Sequence, residues 1–210
     1  MNKPLLVQVL DDDDAVRDSL LTLLRSAGFA VRTHACARSF FDDYHPDETG
    51  CLLIDMRMPD ATGAEVQERI SRMGDKVPII FITGHANIRM AVTAMKRGAV
   101  DFLEKPIDPQ ILLDHVDKAV KRREYELREQ EKSDDAQAKL GVLTPREKDV
   151  LKHLIAGRPN KIIARELGLS PRTVEIHRAR VMEKTGAGSL PRLVRMALAA
   201  GLDPESALTA

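Results

Sequence analysis

Tryptophan is absent from this chain, and aromatic residues of all kinds make up only 3% of it. That scarcity excludes stacking platforms for single-stranded nucleic acid and aromatic shelves for carbohydrate. Cysteine is equally thin. Cys36 and Cys51 make neither a disulfide framework nor a zinc set, and both sit in apolar contexts that read as buried thiols. No apolar run approaches the ~18 residues of a membrane span. The opening MNKPLLVQVL, followed by four aspartates, lacks the order of segments of a signal peptide. No G-x-x-x-x-G-K-[ST] occurs, which excludes a nucleotide-driven P-loop machine. The expectation is a cytoplasmic protein with no membrane partner.

Net charge is also missing, with 32 basic and 32 acidic residues, but the balance hides a division. Residues 1–120 carry 14 Lys and Arg against 19 Asp and Glu, whereas residues 143–210 carry 12 against 7. An acidic front joined to a basic rear points to two modules with different partners, the rear one suited to a polyanion such as DNA. With 210 residues, 43% of them hydrophobic, the chain has enough apolar surface for real cores and is not disordered.

The front half alternates apolar runs with helical patterns. Strands are predicted at Pro4–Leu10, Ala30–Ala35, Cys51–Ile54, Val77–Thr83 and Val100–Leu103. Helices are predicted at Asp14–Ala27, Arg38–Tyr44, Gly63–Met73, Ala86–Arg97 and Asp108–Lys121, the last facing Ile111, Leu112, Val116 and Val120 inward. Near-continuous apolar strands indicate a parallel sheet covered on both faces. Five such units in ~120 residues fit an α/β, flavodoxin-like, doubly wound five-stranded sheet of order 2-1-3-4-5.

In such a sheet, ligands bind beyond the carboxyl ends of the strands. Those ends carry Asp11 to Asp14, Asp55, Thr83, and the run Glu104-Lys105-Pro106. Clustered carboxylates repel one another unless something neutralises them, and Mg2+ with few carboxylates, waters and phosphate oxygens does so. Asp11, Asp12 and Asp55 therefore read as an Mg2+ site. A carboxylate beside Mg2+ can attack phosphorus, with Lys105 and Thr83 stabilising the phosphoryl oxygens. Taken singly, each residue has a plainer explanation: Asp13 or Asp14 as a helix N-cap, Lys105 as a surface cation.

Asp11-Asp12, Asp55-Met56-Arg57-Met58-Pro59 with Gly63, Thr83-Gly84, and Phe102 before Lys105-Pro106 resemble the receiver domain of two-component response regulators. The resemblance implies that Asp55 is the phosphoacceptor, that Asp11, Asp12, Asp55 and the backbone carbonyl of Arg57 hold Mg2+, and that Lys105 contacts the phosphoryl group. It further implies that Thr83 and Phe102 form a switch pair. Arg57 also argues against a phosphatase of the aspartyl-intermediate kind, which needs an acid two residues after its nucleophile.

Lys121–Lys139 is charged and balanced. It reads as a solvated helix or a partly disordered tether, with Ser133-Asp134-Asp135 as its expected break. Beyond it, Thr144-Pro145-Arg146-Glu147 has the pattern of a capping box, Asn160–Leu167 a short helix ended by Gly168, and Ser170-Pro171 the start of a third. A fourth, Leu190–Ala200, follows Ser189. Helix, glycine turn and basic second helix make a helix-turn-helix pattern, although a four-helix protein-binding module shares such caps.

Leu143-Thr144-Pro145-Arg146-Glu147, Asn160-Lys161, Ile163-Ala164, Thr173-Val174 and His177 resemble the LuxR-type helix-turn-helix. The whole chain is similar to FixJ-type response regulators, with a receiver at 1–122, a charged and helical linker at 123–141 and a LuxR-type DNA-binding domain at 142–210. That likeness implies that Arg172, Glu175, Ile176 and Ala179 face bases. Lys161, Thr173, His177, Arg178 and Arg180 would lie nearer phosphate or structural positions. Leu193, Val194, Met196 and Ala197 would carry dimer contacts. It implies a sensor histidine kinase, promoter DNA, a second copy on phosphorylation and RNA polymerase as partners, Mg2+ as the cofactor, and a regulator rather than a dedicated enzyme. The rival is a regulator that binds DNA without phosphorylation.

Overall fold

All seven residues of β3 (Thr49–Asp55) are buried, as a strand covered on both faces requires. The computed structural model describes residues 4–84 and 88–203. β3 pairs in parallel with β1 (Leu6–Leu10) on one side and β4 (Ile79–Thr83) on the other; β2 (Ala30–His34) and β5 (Asp101–Glu104) are the edges. The order is β2-β1-β3-β4-β5. The helices between the strands are α1 (Asp14–Ser26), α2 (Ala37–Asp42), α3 (Gly63–Arg72) and α4 (Ile88–Lys96). The predicted start of α4 at Ala86 lies outside the described residues.

Alternation along the strands sorts side chains into two cores. Leu10, Leu52, Ile54 and Phe81 meet Phe40 of α2, Val66 and Ile70 of α3 and Ala94 of α4. Val7, Val9, Cys51, Leu53, Ile80 and Ile82 meet Leu20 and Leu24 of α1 and Leu112, Val116 and Val120 of α5 (Pro109–Gly141). Ile111 departs from the expected inward set: it is 49% exposed, because the buried stripe runs through positions 112, 116, 119 and 120. Cys36 also departs from its reading as a buried thiol. It is half-buried at the N-terminus of α2, where its sulfur accepts from the Ser39 amide, and hydrogen bonds from Ser39 lower its pKa.

The expected break at Ser133-Asp134-Asp135 does not occur; α5 passes through it unbroken. Pairs four apart on the helix surface, Gln130 to Asp134 and Lys139 to Asp135, satisfy those acids locally. Nor is the segment wholly solvated. Arg123 Nη2 donates to Asp75 at 2.6 Å and to the Pro46 carbonyl at 3.1 Å, all within the front unit. Leu140 is buried in the rear core, and Ala136, one turn before it, is buried as well. The two compact units are Met1–Leu127 and Arg128–Ala210.

In the rear unit, α6 (Pro145–Ile155), α7 (Asn160–Leu167), α8 (Pro171–Thr185) and α9 (Leu190–Ala199) enclose Val150, Leu151, Leu154, Ile163, Val174, Val181, Leu193 and Ala197. Leu193 and Ala197 are fully buried there, so two of the four residues expected to make dimer contacts are consumed by the unit's own core. Among the described residues, no helix is long and apolar enough to cross a membrane.

Glu147 ties α6 to α8. Its carboxylate accepts from Lys184 Nζ at 2.7 Å and from the Thr144 amide at 2.9 Å, and these bonds, that from Lys184 foremost, hold its pKa down at about 2. A depressed folded-state pKa gives stability that is full above the ordinary carboxylate value of about 4.3 and is lost as pH falls toward the folded value. Glu147→Gln should therefore lower the thermal midpoint at neutral pH, and the difference from the parent should shrink as pH falls from about 4.5. A difference that stays constant across that range would contradict the ion pair.

Candidate functional site

Parallel pairing puts the carboxyl ends of all five strands on one edge. The chain passes from β1 outward to β2, then back across to β3, so the crevice of a doubly wound sheet opens between β1 and β3. Leu10 and Ile54 are register partners, and the next residues are Asp11 and Asp55. The carboxylates therefore sit side by side because the sheet places them there.

Lys105 joins them. It follows β5, its amide donates to the Thr83 carbonyl at 2.8 Å, and its side chain returns across the end of β4. Nζ lies 2.7 Å from Asp11 Oδ2 and 3.1 Å from Asp55 Oδ1. Asp11 and Asp55 are buried residues, and the Lys105 side chain is 23% exposed. Burial disfavours the ammonium, yet the bonds and charges of Asp11 and Asp55 outweigh it and raise the Lys105 pKa.

The four consecutive aspartates divide into separate tasks. Asp11 takes Lys105 and also accepts from the Asp13 amide at 3.0 Å. Asp13 caps α1, accepting from the amides of Ala15 and Val16. Asp14 pairs with Arg17. Asp12, Asp13 and Asp14 are all exposed, but of the four only Asp12 makes no side-chain hydrogen bond or ion pair found among the described residues. Sequence reasoning missed Arg17, whose Nη1 donates to the Asp11 carbonyl at 2.6 Å and pins the loop; a contact to backbone oxygen leaves no residue-type signal.

The loop after Asp55 is equally constrained. The Arg57 amide donates to Asp55 Oδ2 at 2.5 Å, so the structure adds the amide of this residue to the carbonyl singled out from sequence. Arg57 and Thr62 bridge across the loop, and Thr62 and Glu65 close a capping box on α3. Thr83 is buried at the end of β4, and the half-buried Phe102 has its ring 6.3 Å from that of its register partner Phe81.

The donor chemistry fits Mg2+. Asp11 and Asp55 share one ammonium and the exposed Asp12 follows Asp11 in the chain, leaving formal negative charge for a hard cation. Among the described residues, no three His, Cys, Asp or Glu side chains are gathered closely enough to cage a metal by themselves. Mg2+ needs no such cage, since it takes one or two carboxylates and keeps several waters.

On the rear unit, Gly168 turns left-handed (φ 64°) between α7 and α8, and Ser170 caps α8. Val174, Val181 and Thr185 of α8 are buried, whereas Arg172, Glu175, Ile176, Ala179 and Arg180 are exposed, with Lys161 and Arg165 exposed on α7. Thr173, His177 and Arg178 are half-buried, and the Thr173 hydroxyl is engaged with Ser170 at 2.8 Å. Arg146 Nη2 closes the end of α7 through the Leu167 carbonyl at 2.8 Å.

Residues 7–117 match the response regulator receiver domain, and residues 141–197 match the bacterial regulatory proteins of the luxR family. This chain belongs to the FixJ-type response regulators. It is 45% identical over 204 residues to the transcriptional regulatory protein FixJ of Azorhizobium caulinodans, covering 97% of each chain. Among solved structures it resembles the response regulator StyR (42% identity, TM-score 0.84, 93% of this chain and 99% of that one). It also resembles full-length FixJ from B. japonicum (42% identity, TM-score 0.57, 96% and 100%). The response regulator thus pairs a receiver with a DNA-binding domain in a phosphorylation-dependent regulator of transcription. That pairing implies a kinase and DNA as partners, and Mg2+ is what receivers in general bind.

Gly63 is the one position in the site that admits no side chain. A Cβ there would lie 2.7 Å from the Asp55 carbonyl oxygen and 2.8 Å from Phe81 Cε1. In the response regulator, Gly63→Ala should destabilise the front unit by about 1–3 kcal/mol, as overpacking does. It should also slow phosphorylation by displacing β3's end. An unchanged midpoint in urea would show that α3 yields freely.

Proposed function

We propose that Asp55 is the phosphoacceptor and that Lys105, bonded to both Asp11 and Asp55, is the group that makes transfer possible. A carboxylate oxygen of Asp55 attacks the phosphorus of a sensor kinase's phosphohistidine. The new P–O bond forms as the P–N bond breaks, and the electron pair leaves on the imidazole. The product is an acyl phosphate. Lys105 is positioned to follow the phosphoryl group, since its ammonium already meets Asp55 Oδ1 at 3.1 Å. The Arg57 amide keeps the other oxygen of Asp55 oriented. Asp11 and the exposed Asp12, with the Arg57 carbonyl, would hold Mg2+, which supplies charge neutralisation on the transferring oxygens.

Thr83 then serves as the hydroxyl that meets the phosphoryl group, and Phe102 as the ring that responds beside it on β5. The neighbouring surface supports a second copy as the next partner: Val92 and Met95 on α4 and Ile111 on α5 are each about half exposed. The dimer would place two copies of α8 against promoter DNA. Arg172, Glu175, Ile176 and Ala179 would meet bases, while Lys161, Thr173, His177, Arg178 and Arg180 would lie toward phosphate. RNA polymerase is the partner such a complex acts upon, in the cytoplasm, and the chain is a phosphoryl acceptor rather than a dedicated enzyme.

Treated with a small acyl phosphate and Mg2+, the full chain should gain one phosphoryl group by intact mass and bind duplex DNA more tightly. Asp55→Asn should do neither. Phosphodonor-dependent DNA binding in Asp55→Asn would sink the assignment and favour a regulator that works without it.

A further inference from the structure

We propose that Glu175 reads a base, and that it selects cytosine at one position in each half of the DNA site. The inference rests on the DNA-binding reading above and goes further, to a sequence preference. On α8, Val174, Val181 and Thr185 face the core, so Arg172, Glu175, Ile176 and Ala179, spaced three, one and three apart, form the opposite, exposed face. The two helices carry more cations than acids: Arg172, Arg178, Arg180 and Lys184 on α8 and Lys161 and Arg165 on α7, against Glu175 and Glu183 on α8 and Glu166 on α7. Arg172 and Arg178 stand three residues to either side, within the range at which helix ion pairs form. Glu175 nevertheless makes no ion pair or hydrogen bond found among the described residues, in contrast to Glu147, which is bonded to Lys184, or Glu166, which meets His153.

An unpaired, exposed carboxylate on a helix that is otherwise mostly basic weakens attraction to every nearby phosphate. It contributes to binding only where it accepts a hydrogen bond from a base edge. In the major groove, guanine offers two acceptors and thymine an acceptor and a methyl group, and neither suits a carboxylate. Adenine offers an amino donor, but its N7 acceptor stands beside it and would repel the second carboxylate oxygen. Cytosine presents its amino group with an acceptor, the O6 of its paired guanine, on one side only, whereas adenine's amino group stands between N7 and the thymine O4. Glu175 therefore favours cytosine and disfavours each alternative. Ile176, 46% exposed and next in sequence, is the apolar neighbour that suits a thymine methyl at an adjacent step.

The test is binding-site selection from a random-sequence duplex pool, using the full chain treated with acyl phosphate and Mg2+. The parent should fix cytosine at one position per half-site, preferred by about tenfold. Glu175→Ala should lose that preference while its affinity for unselected duplex rises severalfold. Glu175→Gln, able to bond adenine at N6 and N7 together, should shift the same position to adenine. One motif shared by all three proteins would overturn the Glu175 assignment and leave DNA binding intact. Retention of no duplex by the parent would overturn both.

Discussion

One ammonium bonded to two carboxylates holds the front of this molecule together chemically. Since Lys105 Nζ is 2.7 Å from one oxygen and 3.1 Å from the other, those oxygens are at most about 6 Å apart. Two like charges at that separation near a protein surface repel by about 3 kcal/mol. The sheet forces this crowding, because Asp11 and Asp55 are successors of paired residues on adjacent central strands. Lys105 relieves it from two strands away. The same arrangement sets what the site can do: two carboxylate oxygens with a cation between them at the carboxyl edge of the sheet.

Much of the surrounding structure fixes that geometry. Asp13 and Arg17 hold the loop after β1, the Arg57 amide and the Thr62–Glu65 capping box hold the loop after β3, and Gly63 lets α3 close onto the Asp55 carbonyl. The rear unit applies similar devices to another end. Ser170 and Gly168 set the turn before α8, while Glu147 anchors its far end through Lys184, leaving an exposed face between them.

The three central strands were legible as apolar runs whose ends named Asp11, Asp55 and Thr83 directly, and Lys105 followed the short edge strand β5. What stayed hidden depends on partners far apart in sequence or on backbone atoms. Arg123 with Asp75, and Arg17 and Arg146 with carbonyl oxygens, leave no pattern among residue types. Ser133-Asp134-Asp135 has the composition of a break, but surface pairs on either side and the buried Ala136 and Leu140 keep the helix continuous. Ile111 was placed inward by hydrophobicity alone, although its helix already had a full stripe without it. Leu193 and Ala197 were assigned to a partner by family likeness, which does not tell which residues of an apolar helix its own core consumes.

Thermal unfolding of Lys105→Met, with and without Mg2+, tests the shared ammonium most directly. The predicted midpoint falls below that of the parent when no divalent ion is present, because Asp11 and Asp55 are left to repel each other. The gap should narrow as Mg2+ is added and assumes the neutralising role. A variant as stable as the parent without the ion, or one that Mg2+ helps no more than it helps the parent, would contradict the account.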